Sequence, residues 1–354
     1  MTVDWKLFFP PGAHVLALPN WRNPRLYLPA RTSFFQRWEE SSLYPAFRHR
    51  AQLYRFLVRI RASMRLAAVR TVRTSDWPLG EFIRDVLPSA VCGAVLDSHP
   101  LRTAQQSTVQ LRGENDTVLG YLKYAEKEAA RKRLRQEHRM LSSLPEGTAS
   151  PKPLKYGALD NGEALLVTPL SGKHLPATFP PDVGLHAFLM SLVVSPPVTI
   201  AEHPWVRRIR ERSEHELDHW FETLSGKDWP VVIHHGDFVP WNLLRSSDGS
   251  LAAIDWERGT LEGFPYLDLA YYILQISLAI YRWTPFRAAE YAAEYLARQP
   301  QLALSSAEAR ALVCLAAYDA YRKITEDWPP SVGKNELYQL RWWQSIWEGL
   351  VCAS

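Results

Sequence analysis

In the stretch IHHGDFVPWNLLRSSDGSLAAIDWE, Asp237 stands five residues before Asn242, and Asp255 follows thirteen residues after that. A carboxylate, an amide and a second carboxylate in this order suit metal-assisted phosphoryl transfer. One carboxylate orients an attacking hydroxyl and accepts its proton, while Asn242 and Asp255 supply hard oxygens to Mg2+. Such a reaction is accelerated mainly by position and charge, so little else is needed from the chain. A lone Asp or Asn in a loop is usually a turn former or a cap. Here each acidic residue follows an apolar run, VVIHH and LAAI, and the ordered set of three carries the signal. The strands before Asp237 and before Asp255 are expected to pair through a hairpin turning at Ser247-Asp248-Gly249, which would gather the three groups at one mouth. His234 reads as a packing or surface residue.

The elements that must position these groups divide into two kinds. Between about 90 and 170 the runs STVQL, TVLGYLKYA and ALLVTPL have strand character, with Gly113-Glu114-Asn115-Asp116 as a turn. One helix interrupts them over Glu126–Leu144, a span of strong helix formers without Gly or Pro. From residue 181 onward helical segments dominate, apart from the insert that holds Asp237 and Asp255. The expected fold is therefore α+β and bilobal: a small antiparallel β-sheet N-lobe with one helix over 89–170, and a larger, mainly helical C-lobe over 171–354. Residues 1–88 form a basic N-terminal extension.

That extension carries 14 Lys and Arg against 6 Asp and Glu over residues 1–90, in a chain whose net charge is +4. Its first forty residues are rich in Pro, Trp and Arg, which suggests short extended pieces and turns. A helix is expected from Ala46 to about Val72, with Leu53, Leu57, Ile60 and Met64 at helical spacing and arginines among the polar positions. The stripe reads as a face packed on the sheet, and the arginines as a solvated face.

The segments H-G-D-F-x-P-W-N-L-L and I-D-W-E resemble the catalytic and metal loops of aminoglycoside phosphotransferases and their choline and sugar kinase relatives. The resemblance implies a protein-kinase-like fold, with Asp237 as catalytic base, Asn242 and Asp255 as magnesium ligands, and His235 as a support of the loop. Protein kinases have H-R-D and D-F-G at these places; Gly236 and Trp256-Glu257 point to the small-molecule branch. The later G-F-P-Y-L-D-L-A is similar to that branch too, where the equivalent of Asp268 buttresses the catalytic loop. Lys123 resembles the lysine that grips the α- and β-phosphates. Its expected partner is Glu137, with Glu126 and Glu128 as weaker matches. Val167-Thr168-Pro169-Leu170 looks like the hinge that reads adenine through backbone groups, and because Pro169 lacks an N–H the reading rests on Thr168 and Leu170. The turn expected to cover the phosphates, SHPLRTAQQST, has no glycine.

The resemblance implies ATP (or GTP) and Mg2+ as cofactors, and a nucleotide and a small hydroxyl-bearing acceptor as partners. A neutral or weakly charged polyol such as a sugar is expected over a polycation, because residues 269–354 balance eight Lys and Arg against eight Asp and Glu and desolvating several ammonium groups takes an acid-rich pocket. Tyr271, Tyr272, Tyr281, Trp283, Trp328, Trp342, Trp343 and Trp347 offer aromatic faces there. Cys92, Cys314 and Cys352 form no C-x-x-C pair, so neither a disulfide framework nor a zinc site is expected. A cytoplasmic setting fits. The start MTVDWKLFFPPG lacks the pattern of a signal peptide, and no apolar run reaches the ~20 residues of a spanning helix. No nucleic acid is expected as partner. Two alternatives stand beside the kinase reading: a catalytically silent scaffold on the same fold, and a kinase docked peripherally on a membrane through residues 46–73.

Overall fold

The structure, a computed structural model, describes residues 4–43, 49–98, 105–113, 115–213, 216–327 and 333–352. It divides into two compact units: residues 1–142 with 151–170, and residues 143–150 with 171–354.

The first unit is built on one antiparallel sheet. Its strands in chain order are β1 (His14–Leu18), β2 (Leu26–Pro29), β3 (Val69–Thr71), β4 (Val91–Ser98), β5 (Gln106–Arg112), β6 (Val118–Ala125), β7 (Pro153–Leu159) and β8 (Gly162–Val167). They lie in the order β3-β1-β2-β4-β5-β6-β8-β7. The sheet is larger than the sequence suggests, because residues before 89 add three strands: β2 pairs with β4, Leu26 opposite Leu96, and β1 pairs with β2 and β3. The proline-rich opening segment thus ends as short extended pieces, as its composition implies. Helix α1 (Phe34–Glu40) starts on a Ser33 side-chain cap. Helix α2 (His49–Ser63) is shorter than expected. Arg65 turns into the left-handed region and the chain leaves to form β3; residues 44–48 lie outside the described ones. Helix α3 (Pro78–Ile83) buries Leu79, Phe82 and Ile83 in a core with Val95, Val109 and Leu122 from the sheet. Helix α4 (Glu128–Ser143) follows β6, close to the expected span.

The second unit is mainly helical, with two three-stranded sheets. It contains β9 (Lys173–His174), α5 (Gly184–Met190), β10 (Val193–Val198), α6 (Pro204–Ser213), α7 (Asp218–Thr223), β11 (Trp229–His234), β12 (Leu243–Arg245), β13 (Leu251–Ala253), β14 (Thr260–Gly263), α8 (Leu267–Ile276), α9 (Pro285–Ala297), α10 (Ser306–Asp327) and α11 (Lys334–Cys352). One sheet runs β10-β11-β14 and the other β13-β12-β9. The strands before Asp237 and before Asp255 therefore do not pair, contrary to the sequence expectation. β11 has β10 and β14 on its two sides, and the hairpin at Ser247-Asp248-Gly249 joins β12 to β13, Leu243 opposite Ala253. The mixed α+β class is the expected one, while residues 1–88 belong to the sheet unit and do not stand apart as an extension.

Candidate active site

Asp237 lies in the loop between β11 and the turn Pro240–Asn242. Three contacts fix this loop before any side chain reaches the carboxylate. Asp268, buried at the first turn of α8, accepts from the backbone N–H of His235 at 2.7 Å on one oxygen and from that of Gly236 at 3.0 Å on the other. His234 Nε2 lies 2.9 Å from the same carboxylate. His234 is 3% exposed, so it belongs to the support of the loop and not to the surface. Burial alone would raise the Asp268 carboxyl, but His234 and His235, the latter also through its backbone N–H, bring it below its ordinary value.

Gly236 explains why arginine is absent from its position. It takes φ +78, where a Cβ would stand 2.3 Å from the Arg258 carbonyl oxygen.

His235 is fully buried and holds two loops together. Its Nε2 donates to the Ile254 carbonyl at 2.9 Å, and Asp237 N–H donates to its Nδ1 at 3.3 Å. Burial pushes the imidazole below its ordinary value, which suits this neutral tautomer. The Asn242 carbonyl accepts from Ile254 N–H at 2.9 Å, and Trp256 packs on the His235 ring at 4.6 Å while donating to the Ala253 carbonyl. Asp255, held between these anchors, adopts φ 68. A left-handed non-glycine residue of this kind is strained and persists where its surroundings impose it.

The Asp237 carboxylate is gripped on both oxygens. Asn242 Nδ2 donates to Oδ2 at 3.0 Å and Tyr271 Oη donates to Oδ1 at 2.9 Å. The Tyr271 ring is stacked on Trp343 at 5.5 Å with planes 6° apart. Burial, and then the Asp237 charge, push the Tyr271 phenol well up, so it stays a donor. The Asn242 amide nitrogen is thereby committed to Asp237, so only its Oδ1 could face a cation. Among the described residues no three His, Cys, Asp or Glu side chains form a metal cluster. Two oxygen ligands completed by phosphates and water are the usual complement for Mg2+ at a nucleotide, and Asn242 with Asp255 fit that pattern.

In the first unit, Lys123 on β6 meets Glu137 on α4, Nζ lying 2.7 and 2.6 Å from the two carboxylate oxygens. Glu137 is buried and Lys123 mostly so. The weaker matches are engaged elsewhere, Glu126 with Tyr124 and Glu128 with Arg135. Thr168 donates its N–H to the Lys152 carbonyl, and its hydroxyl accepts from Lys152 N–H, each at 2.9 Å. That commits the donor the hinge expectation assigned to Thr168. The segment expected to cover the phosphates falls largely on residues 99–104, outside the described ones, as does Trp328.

Sequence reasoning took Tyr271 only as an aromatic face and His234 as a packing or surface residue, and missed their contacts with Asp237 and Asp268. Tyr271 is three residues after Asp268, so the two share a helix face, and once Asp268 is placed against the loop Tyr271 must point the same way.

Residues 195–312 match the family model described as the phosphotransferase enzyme family. No curated protein matches the sequence. Among solved structures, the chain is similar to a thermostable mutant of aminoglycoside phosphotransferase APH(4)-Ia in ternary complex with ADP and hygromycin B, at 16% identity and TM-score 0.45 over 78% of this chain and 98% of that one. It is similar to the choline kinase LicA from Streptococcus pneumoniae at 15% identity and TM-score 0.45, over 77% and 98%. A Plasmodium vivax ethanolamine kinase matches at 8% identity and TM-score 0.42, over 75% and 84%. The matched segment holds Asp237, Asn242, Asp255 and Asp268, and so includes both motifs.

Proposed function

We propose that this chain transfers the γ-phosphate of ATP (or GTP) to a hydroxyl of a small, neutral or weakly charged acceptor, a sugar or related polyol. The observation that carries the reading is the Asp237 carboxylate, held on both oxygens by Asn242 and Tyr271 in a loop that Asp268 fixes from beneath. A carboxylate so held can orient an acceptor hydroxyl and take its proton as the new O–P bond forms and the bond to the β-phosphate breaks. Mg2+, when bound, neutralises the phosphate charge; Asn242 Oδ1 and Asp255 would hold it. Lys123, kept in place by Glu137, suits the α- and β-phosphates. Recognition of the base falls to Leu170 and to carbonyl groups of the hinge, because the Thr168 N–H is already bonded to Lys152.

The preference for a neutral or weakly charged acceptor is supported by where two carboxylates of α10 are spent. Asp319 is buried against Lys323 at 2.7 Å and Arg322 at 3.3 Å, and Glu326 meets Arg322 at 2.6 Å. Their negative charge is answered within the chain, so they do not form the acid-rich wall a polycation requires. With Asp237, Asn242, Asp255 and Lys123 all present in the sequence, the scaffold alternative lacks the lost residue that would favour it.

A nucleotide-consumption screen over sugars, aminoglycosides and amino alcohols identifies the acceptor. On that acceptor Asp237→Asn is expected to lower turnover by about 10²–10⁴-fold while nucleotide binding is kept, and Asp255→Ala to lose Mg2+-dependent nucleotide affinity. Parent rates in both variants would overturn the site assignment; turnover of aminoglycosides alone would overturn the acceptor class.

A further inference from the structure

The apolar stripe of α2 does not pack as its periodicity suggests. The inner face is narrow: Val58 and Ala62 are buried against Leu18, Leu26, Leu28 and Ala94. Of the stripe expected against the sheet, Leu53, Leu57 and Met64 are 64%, 55% and 59% exposed, and Ile60 is half-buried. The reason is the size of the inner face, since small Ala62 and branched Val58 already fill the space over β1 and β2.

The exposed stripe is part of a larger surface. Phe34 stacks on Trp38 at 6.5 Å, and Trp38 meets Phe56 edge-on at 5.9 Å, joining α1 to α2. Phe35 stands 77% exposed beside them, and Leu66 continues the surface past the end of α2. Contiguous apolar surface of this kind marks an interaction site. Its surroundings are basic. Residues 31–73 hold ten Arg, of which Arg37 is buried on the Ala62 and Ser63 carbonyls, no Lys, and two acids, Glu39 and Glu40. Glu40 is buried beside Arg112, so Glu39 is the one acid of that span left at the surface. Arg61 and Arg65 are exposed, tethered by hydrogen bonds to the Leu66 and Thr32 carbonyls, and the Arg59 guanidinium lies 4.1 Å over the Trp38 ring.

We propose that this face docks on an anionic lipid bilayer, with Phe35, Leu53, Phe56, Leu57, Met64 and Leu66 entering the boundary between headgroups and acyl chains and the arginines meeting lipid phosphates. An interfacial helix has this composition: large apolar and aromatic residues on one side, cations at the margin, and too little apolar length to span. No helix among the described residues is long and apolar enough to cross a membrane, so the contact is peripheral. A second copy of the chain fits less well, since a twofold contact would bring the arginines of both copies together. Nucleic acid would satisfy the arginines and leave Leu53, Leu57 and Met64 in water. The proposal is independent of the phosphotransfer reading, because none of these residues belongs to the Asp237 loop.

Flotation of the full chain with vesicles tests it. Binding is expected to vesicles of phosphatidylcholine with phosphatidylglycerol, and to be weak with phosphatidylcholine alone and in high salt. A triple variant, Phe35→Ser with Leu53→Ser and Leu57→Ser, is expected to lower the bound fraction about tenfold, and so is the pair Arg61→Glu with Arg65→Glu. Thermal melts should show both folded, and if one is not, the other decides. Failure of the parent to float, or flotation that both folded variants retain, would overturn the proposal. So would a dimer in size-exclusion chromatography, or a complex with duplex RNA, that the serine variant abolishes in a chain that binds no vesicles.

Discussion

Helices α2 and α8 read alike in the sequence, each with large apolar residues recurring at helical spacing, and they end in opposite surroundings. Eight residues of α8 are buried, Asp268 among them, and the helix lies against α9 and α10. In α2 the covered positions include Val58 and Ala62, while Leu53 and Leu57 face water. Periodicity says that a helix has an apolar face; what covers that face depends on elements distant in sequence. The covered helix can hold a buried carboxylate against backbone donors and so position a reactive loop. The uncovered one has its apolar area left for a partner.

The sharpest way to break this comparison is at Asp268. Asp268→Ala strips the acceptor from two buried N–H groups and from His234, and is expected to cost about 3–5 kcal/mol of stability, with turnover lost alongside. Urea unfolding and a nucleotide-consumption assay measure the two. A cost below that of an ordinary surface substitution would mean the loop is held by other means.

Acid is the next lever, and it acts on the second unit. His203 is buried beside Phe264, and burial lowers its pKa from 6.5 to about 4; His235 is lowered likewise. A histidine with a depressed folded pKa binds its proton in the unfolded chain first, so stability is full above about pH 6.5 and falls as pH drops toward the folded value. For His203 the loss by pH 4 amounts to about 3 kcal/mol. Asp268, also held below its ordinary value, adds to the loss at still lower pH. Melting temperature followed from pH 7 to pH 4 is expected to fall, and His203→Gln should flatten part of the slope. A flat profile in the parent would show that these imidazoles are hydrated.

Much of the candidate site is read from the linear order of residues, because the Asp237 loop and the Asp255 loop after it are local structures. Lys123 and Glu137 are legible for a similar reason: a strand followed at once by a helix constrains which side chains can meet, and the ion pair forms. What is not legible depends on distant partners. β11 and β13 look ready to pair, but β10 and β14 take the two sides of β11. The three strands from residues before 89 join the sheet only because β4 offers an edge to β2. His234 reads as a packing or surface residue until Asp268, 34 positions later, is placed beside it.

Tyr271 offers a finer probe of the covered helix. Tyr271→Phe keeps the ring on Trp343 and removes only the hydrogen bond to Asp237, so the fold should hold while turnover drops about tenfold. If Tyr271 positions the carboxylate, kcat falls with nucleotide affinity unchanged; if the residue only packs, kcat stays with the parent.

The smallest effect is expected on the uncovered helix, where Leu57→Ser should change stability by no more than about 0.5 kcal/mol. A buried leucine forfeits several times that when truncated, because its transfer energy is lost and a cavity remains. Leu57 is 55% exposed, so most of its surface already meets water and serine leaves no cavity in the narrow core beneath. Serine also lowers helix propensity slightly, which sets the sign toward destabilisation. A double comparison sharpens the result: Val58→Ser, one residue further along the same helix, faces the cluster of Leu18, Leu26 and Leu28 and should cost about 2 kcal/mol or more. Equal costs at 57 and 58 would mean that the outer face of α2 is covered in solution, and the contrast with α8 would disappear.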